Sequence, residues 1–475
     1  MFTDGTKRGA KRVRDNALHR WLLACFVVVG AAGHAAEPSD ETLTRIRAHL
    51  DAIPAIDTHS HLHPWTMLSA GAEGMFGSVL RGPYTNQVVT LPSRTHGEST
   101  ADWWKRVEAA FANVRATGFY RYKLAAFRDL YGVDMEQATP EQIEVLPARF
   151  AENYRNRRWL YDVLTERANI ELMIVDPYWN RYGFVPEYPF ESFVLNVTPL
   201  LNGFHRSEFT SAPNDDPYRI ADQHGLAAGT LDDYVALLDR MMAMAEESGA
   251  VGLKSTRAYM RTLRFENVPR EKAAAGFGRP RSALSAQEVQ DFEDFVMWRL
   301  TELAAKHDLP FQIHTGHGRL QGSNPLLLLD LIEANPKTKF VLFHGGYPWV
   351  GETGAIALRH WRHVWIDTVW LPTISPTMAR RALHEWLEVM PSDRLLWGAD
   401  CMNAESIYAA TVVNRAVIAE VLAEKIDRGD LREADALRIG RQILRENALA
   451  LYPRMQNRLW KHRARLTAEG LVPFP

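Results

Sequence analysis

From Ile53 onward, short apolar runs alternate with longer stretches in which apolar residues recur every three or four positions. The short runs predict eight strands, at Ile53–His59, Ile170–Asp176, Ser192–Thr198, Ala250–Ser255, Pro310–His314, Lys339–His344, Val364–Thr368 and Leu395–Asp400. Inner segments such as Met173-Ile174-Val175 and Phe340-Val341-Leu342-Phe343 are apolar without alternation, as expected of parallel strands covered on both faces. No tight-hairpin signal joins neighbouring runs. The helical spacing predicts amphipathic helices at Leu231–Glu247, Glu288–His307, Pro325–Ala334, Pro376–Val389 and Glu405–Glu424. Eight strand–helix units predict an α/β fold, a (β/α)8 TIM barrel, over an open doubly wound sheet. No Gly-x-Gly-x-x-Gly follows any strand, which argues against a dinucleotide site.

Three segments fall outside this repeat. A short helix over Glu41–Leu50 precedes the first strand, within a linker at 36–52. About a hundred residues separate the first two strands, and the helical spacing of Trp104, Val107, Phe111 and Val114 marks a helical insertion at 66–150. It reads equally well as a lid over the barrel mouth or as an extra pair of outer helices. Glu433–Tyr452 predicts a helix that closes a barrel domain at 53–455, and 456–475 reads as a surface tail.

The first 35 residues change the cellular picture. Lys7, Arg8, Lys11, Arg12, Arg14 and Arg20 precede the apolar run Trp21–Ala32, and the small residues Gly33 and Ala35 follow. This is the pattern of an export signal over residues 1–35, cleaved near Ala35 or Ala36. It predicts a periplasmic or secreted protein. The run is shorter than the roughly 20 apolar residues that span a bilayer, so no membrane anchor is expected after processing. A lipoprotein-like Leu-Leu-Ala-Cys string at Leu22–Cys25 sits too early in the run to serve as one. Cys25 leaves with the signal, and Cys401 alone can form no internal disulfide, so the core must carry the stability. A net charge of −2, without a later Lys/Arg cluster, argues against a nucleic-acid partner.

Candidate chemistry lies at the predicted strand ends. In Ile56-Asp57-Thr58-His59-Ser60-His61, side chains two apart on a strand point the same way, so His59 and His61 aim two imidazoles at one place. Neutral imidazole suits zinc and similar metals. Lys254, His314, His344 and Asp400 each follow an apolar strand run, where a polar group is costly unless it ends at a polar site. In a barrel these ends converge on the face where active sites are built, which predicts a shared metal site. Arg257, Tyr259 and Arg261 follow Lys254, while His317 and Arg319 follow His314. Such arginines would suit a small anionic substrate, and they read equally well as surface residues paired with nearby acids. His63 reads as a loop residue, Cys401 as packing, and Asp57 as support beneath His59 or a structural hydrogen-bonding group. Asp367 is a further strand-end acid, and Trp65, Trp349 and Trp370 read mainly as core.

With His59 and His61, His314, His344, Gly398-Ala399-Asp400 and the closing Ile443-Leu444-Arg445-Glu446-Asn447-Ala448, the chain resembles the amidohydrolase superfamily over Ile53–Tyr452. The resemblance is to the branch grouped as the second amidohydrolase family. It implies that His59, His61, His314 and Asp400 hold one divalent metal, zinc by expectation. Two metals would follow if Lys254 were carboxylated and His344 joined the second, whereas in single-metal relatives a lysine at this place meets substrate charge. Residue chemistry agrees with the resemblance on roles: metal-activated water as nucleophile, Asp400 as proton acceptor, and His344 as the group that polarises the scissile carbonyl. The expected activity is hydrolysis of a small amide, ester or lactone. Nonoxidative decarboxylation is the alternative, with a uronate isomerase-like enzyme or a non-catalytic metal-bearing binding protein behind it.

Overall fold

In a computed structural model of the chain, the described residues are 38–457 and 459, apart from 83 and 184. The predicted export signal lies outside them. Eight parallel strands follow one another in chain order: β1 (Ala55–Ser60), β2 (Ile170–Val175), β3 (Glu191–Asn196), β4 (Ala250–Ser255), β5 (Phe311–Ile313), β6 (Phe340–Leu342), β7 (Val364–Asp367) and β8 (Leu395–Leu396). The Thr58 amide donates to Trp397 O at 3.2 Å and the Asp400 amide to His59 O at 2.8 Å, joining the last strand to the first. The fold is therefore a TIM barrel with a helical insertion after β1.

Inside the barrel, Ile56, Leu172, Ile174, Val194, Val341 and Leu396 form one apolar cluster with Leu451, Tyr452 and Met455 of the closing segment. That segment runs as Glu433–Arg441, a π turn at Gln442–Glu446, and Asn447–Leu451. A larger apolar layer fills the space between strands and outer helices. Helix Ala404–Asp427 is apolar enough to cross a membrane by composition, with a mean hydropathy of 1.4. It is instead a core helix, packed between Asp40–Asp51, Leu124–Tyr131 and Pro376–Val389.

Six predicted strands end earlier than their patterns suggested, three of them before candidate site residues. β5, β6 and β8 stop short of His314, His344 and Asp400. His344 (φ 60°) and Asp400 (φ 55°) take left-handed backbone, which leaves the ladder and re-aims the side chain. Periodicity reads the apolar run but not the turn that ends it.

The insertion packs in an aromatic-rich core that it shares with β2 and the start of the helix after β8, in which Phe76 lies 6.1 Å from Trp103 and from Phe127 and 5.6 Å from Phe150, ring to ring. Its helical structure continues beyond 150, through Arg157–Tyr161 and a π turn at Asp162–Arg167. It is pinned to the helix after β8 by Tyr131 and Tyr154, whose hydroxyls donate to the buried Glu405 carboxylate at 2.6 and 2.5 Å.

One buried cation in this insertion makes stability depend on pH. The Lys123 ammonium donates to Leu80 O and to Thr85 Oγ1 at 2.5 and 2.7 Å and has no carboxylate partner among the described residues. Burial pulls its pKa from 10.5 down to about 7. Between those values the unfolded chain holds a proton that the folded chain has released, so stability rises as pH is raised. The melting temperature is expected to climb by a few degrees, on the order of 2–3 kcal/mol, between pH 7 and 9.5. Thermal melts of Lys123→Met should lose most of that climb; an identical slope in the variant would refute the assignment.

Candidate metal centre

His59 is the penultimate residue of β1 and lines the cavity at the barrel mouth, and His61 follows two residues later. Asp400, four residues past β8, comes to the same place. The Asp400 carboxylate Oδ1 lies 3.1 Å from His61 Nε2 and 3.7 Å from His59 Nε2, and the three ligand atoms fall within 4.8 Å of one another. Gly398 permits this approach: a Cβ there would lie 2.9 Å from Val369 Cγ2 and 3.0 Å from the His59 amide nitrogen. Asp57 ties the two strands from below. Its Oδ1 accepts from the amides of His59 (3.1 Å) and Ala399 (3.0 Å), and its Oδ2 accepts from Ser60 (2.6 Å).

Hydrogen bonds to carbonyl oxygens, which only accept, set the histidine tautomers. His61 Nδ1–H donates to Asp176 O at 3.0 Å, leaving Nε2 to face Asp400, as a donor when the ring is charged and with a free lone pair when it is neutral. His344 Nδ1–H donates to Val369 O at 2.9 Å, so its Nε2 accepts from His314 Nδ1–H, also at 2.9 Å. That relay leaves His314 Nε2 unprotonated, and the atom is buried without a hydrogen-bond partner. His59 Nδ1 is likewise buried without one.

Protonation states follow. Burial holds His59 and His314 well below the usual histidine range and brings His344 down to about 4. Burial alone would raise Asp400, but the His61 hydrogen bond and the neighbouring imidazoles hold it well below the usual carboxylate range. His61 is shifted the other way: burial lowers it, and Asp400 more than offsets that. The neutral imidazoles of His59 and His314, with His61 freeing its own lone pair as it gives up a proton, beside an ionised carboxylate are the donor set a divalent cation requires. The residues fit such an ion.

His59, His61, His314 and Asp400 line a cavity of about 240 Å³, together with Lys254, Tyr259, Asp176, Asn196, Tyr178, Arg181, Thr256, Met402 and Tyr84. The Lys254 ammonium lies 3.5 Å from the centre of the Phe343 ring, and burial lowers its pKa to about 8.

A family model described as Amidohydrolase matches residues 215–454, just over half of the chain. The chain belongs to the amidohydrolase family. The matched stretch holds Lys254, His314, His344 and Asp400, and barrel closure adds His59 and His61 from outside it. Protein fluG of Emericella nidulans is 31% identical over 227 residues, 43% of this amidohydrolase and 26% of that protein, so the chain spans about a quarter of that relative. Among solved structures, a uronate isomerase from Thermotoga maritima superposes with a TM-score of 0.68 at 15% identity, covering 89% of this chain and 99% of that one. A protein described as a metal-dependent hydrolase from Lactobacillus casei gives 0.59 at 18% identity, covering 87% and 98%. At such identities the likeness speaks for the fold alone.

The amidohydrolase places some predicted residues elsewhere. His314 faces the cavity but lies outside the tight group of three. His344 is fully buried behind it, turned to His314 and absent from the cavity wall. Arg257 is not at the mouth; it is buried and ion-paired with Glu293. Arg261 pairs with Glu293 and Asp294, and Arg319 donates to Met260 O. A residue that follows a strand end can turn back toward an outer helix, and the acids that draw Arg257 and Arg261 lie more than thirty residues away in sequence. Asp367 is buried, accepting from Thr58 and from the Val369 amide, and makes no part of the cavity wall. Asp176 and Asn196, paired at 2.8 Å at the ends of β2 and β3, were missed. The strand-end rule that found His314 would have found them.

Proposed function

We propose that this amidohydrolase is a metal-dependent hydrolase of a small amide, ester or lactone. The observation that carries the reading is the convergence of His59, His61 and Asp400 at one point of the barrel mouth, with His314, whose Nε2 is buried without a partner, in the same cavity wall. His59, His61 and Asp400 would hold one divalent cation, zinc by the character of its donors, with His314 as a fourth donor. Such a cation supplies Lewis acidity, which polarises a carbonyl and makes water acidic near neutral pH.

The chain's own residues do the rest. Asp400 is held ionised, so its carboxylate can accept a proton from the attacking water and return it to the leaving group. His344 orients His314 through the Val369 carbonyl relay, which makes it a positioning residue. Lys254, buried and without a hydrogen bond to a described residue, is placed to meet negative charge on the substrate or the developing oxyanion.

Turnover of a panel of amides, esters and lactones in ¹⁸O-labelled water tests the reaction. Label in the new carboxylate is the expected result. Carbon dioxide release from carboxylated aromatics would point to a decarboxylase, and ligand recovered unchanged to a binding protein. A purified, folded chain that takes up no divalent ion would end the reading altogether.

A further inference from the structure

We propose that Tyr84 and Tyr259 are specificity-determining residues, whose paired hydroxyls close the cavity over a substrate group bearing an oxygen acceptor. The proposal deepens the metal-dependent reading above and rests on it for the chemistry that follows binding.

Tyr84 comes from the insertion and Tyr259 from the loop after β4, and their hydroxyl oxygens lie 2.5 Å apart. Both line the cavity, and Tyr259 is 38% exposed, so the pair stands at the mouth and not on the floor. The Tyr259 ring lies 4.3 Å from the His314 ring, which places the pair beside one of the facing imidazoles. Tyr84 is gripped from its other side, 4.3 Å from Trp370 and 5.1 Å from His317, ring to ring. Phe119, also of the insertion, packs 5.6 Å from Trp370.

Tyr84 (φ 63°), His317 (φ 30°) and Trp370 (φ 66°) all hold left-handed backbone. Bulky side chains seldom adopt it, and such strain persists where position matters. Joining two loops needs only apolar contact, yet this contact puts two hydroxyls on the cavity surface. Two hydroxyls carry two protons. One closes the bond between them, and the other is left to donate to an oxygen acceptor in a cavity whose wall carries the Lys254 ammonium as well as the Asp176 and Asp400 carboxylates. A small carboxylate is the group that fits.

The test uses the whole, metal-free protein, so a chain that binds no metal sinks the earlier reading while leaving this one measurable. Diethyl pyrocarbonate labelling of His317, followed by peptide mass spectrometry, reads how often the bridge opens. Tyr84→Phe and Tyr259→Phe keep both rings and remove only the bond. Each is expected to speed labelling about fivefold, and the double variant no more than either alone. Benzoate should slow labelling of the wild type and protect either variant about fivefold less well. Melting temperatures check that the variants fold. Unchanged labelling rates, additive effects in the double variant, or benzoate protection that is absent or equal in all forms would each overturn the proposal.

Discussion

Asp400→Asn is expected to lose about two to four orders of magnitude in turnover and most of its affinity for a divalent ion. The substitution keeps shape and volume, so packing around the fully buried Ala399 and Cys401 should survive. What it removes is the negative charge that faces three imidazoles: His61 at 3.1 Å, His59 at 3.7 Å and His344 at 4.0 Å. It also removes the group placed to carry the proton. Metal content after dialysis against a weak chelator separates the two losses. Thermal melts give a readout without a substrate: zinc at a hundredfold excess over its dissociation constant adds about 2.7 kcal/mol to the wild type, and that rise should vanish in the variant. Lys254→Ala is the companion measurement. Unchanged metal content fits the single-ion arrangement, whereas loss of one equivalent would establish two. An Asp400→Asn protein that binds zinc and turns over like the wild type would refute the site.

What the sequence made legible here follows local rules. His59 and His61 were readable because strand residues two apart share a face, and His314 because a polar group ending an apolar strand needs a polar destination. The barrel was readable because its strands lack alternation. Tyr84 was not, since no pattern in the insertion tells which residue crosses to the loop after β4. The turning of His344 toward His314 was hidden for another reason: it depends on a left-handed backbone that an apolar run does not announce. Arg257 shows the reverse failure. Its place in the chain suggested the mouth, and an acid on a distant helix took it away.

Arg415→Met is expected to lower stability by about 2–4 kcal/mol. Arg415 lies in the long apolar helix after β8, is buried, and has no carboxylate partner among the described residues. Its guanidinium donates to the carbonyls of Leu50 and Ile53 (the latter at 2.8 Å), and to those of Ala168 and Asn169 at 3.4 Å. These carbonyls end the helix that precedes β1 and the turn that precedes β2, so one side chain fastens the two segments that lead into the first strands of the barrel. Burial lowers its pKa to about 10, a sign of how much hydration the cation has given up. Methionine fills the stem's space and recovers that desolvation cost, but it leaves the Ile53 and Ala168 carbonyls without a donor among the described residues, at about 1–3 kcal/mol for each one unsatisfied, while those of Leu50 and Asn169 keep backbone donors. The second term outweighs the first because several acceptors share one donor group. Arg415→Lys, with a point charge on a flexible stem, should recover only part of the loss, since it cannot span acceptors arranged for a planar fork. A melting temperature for Arg415→Met within about 1 °C of wild type would show that water or backbone movement satisfies these carbonyls as well as the arginine does.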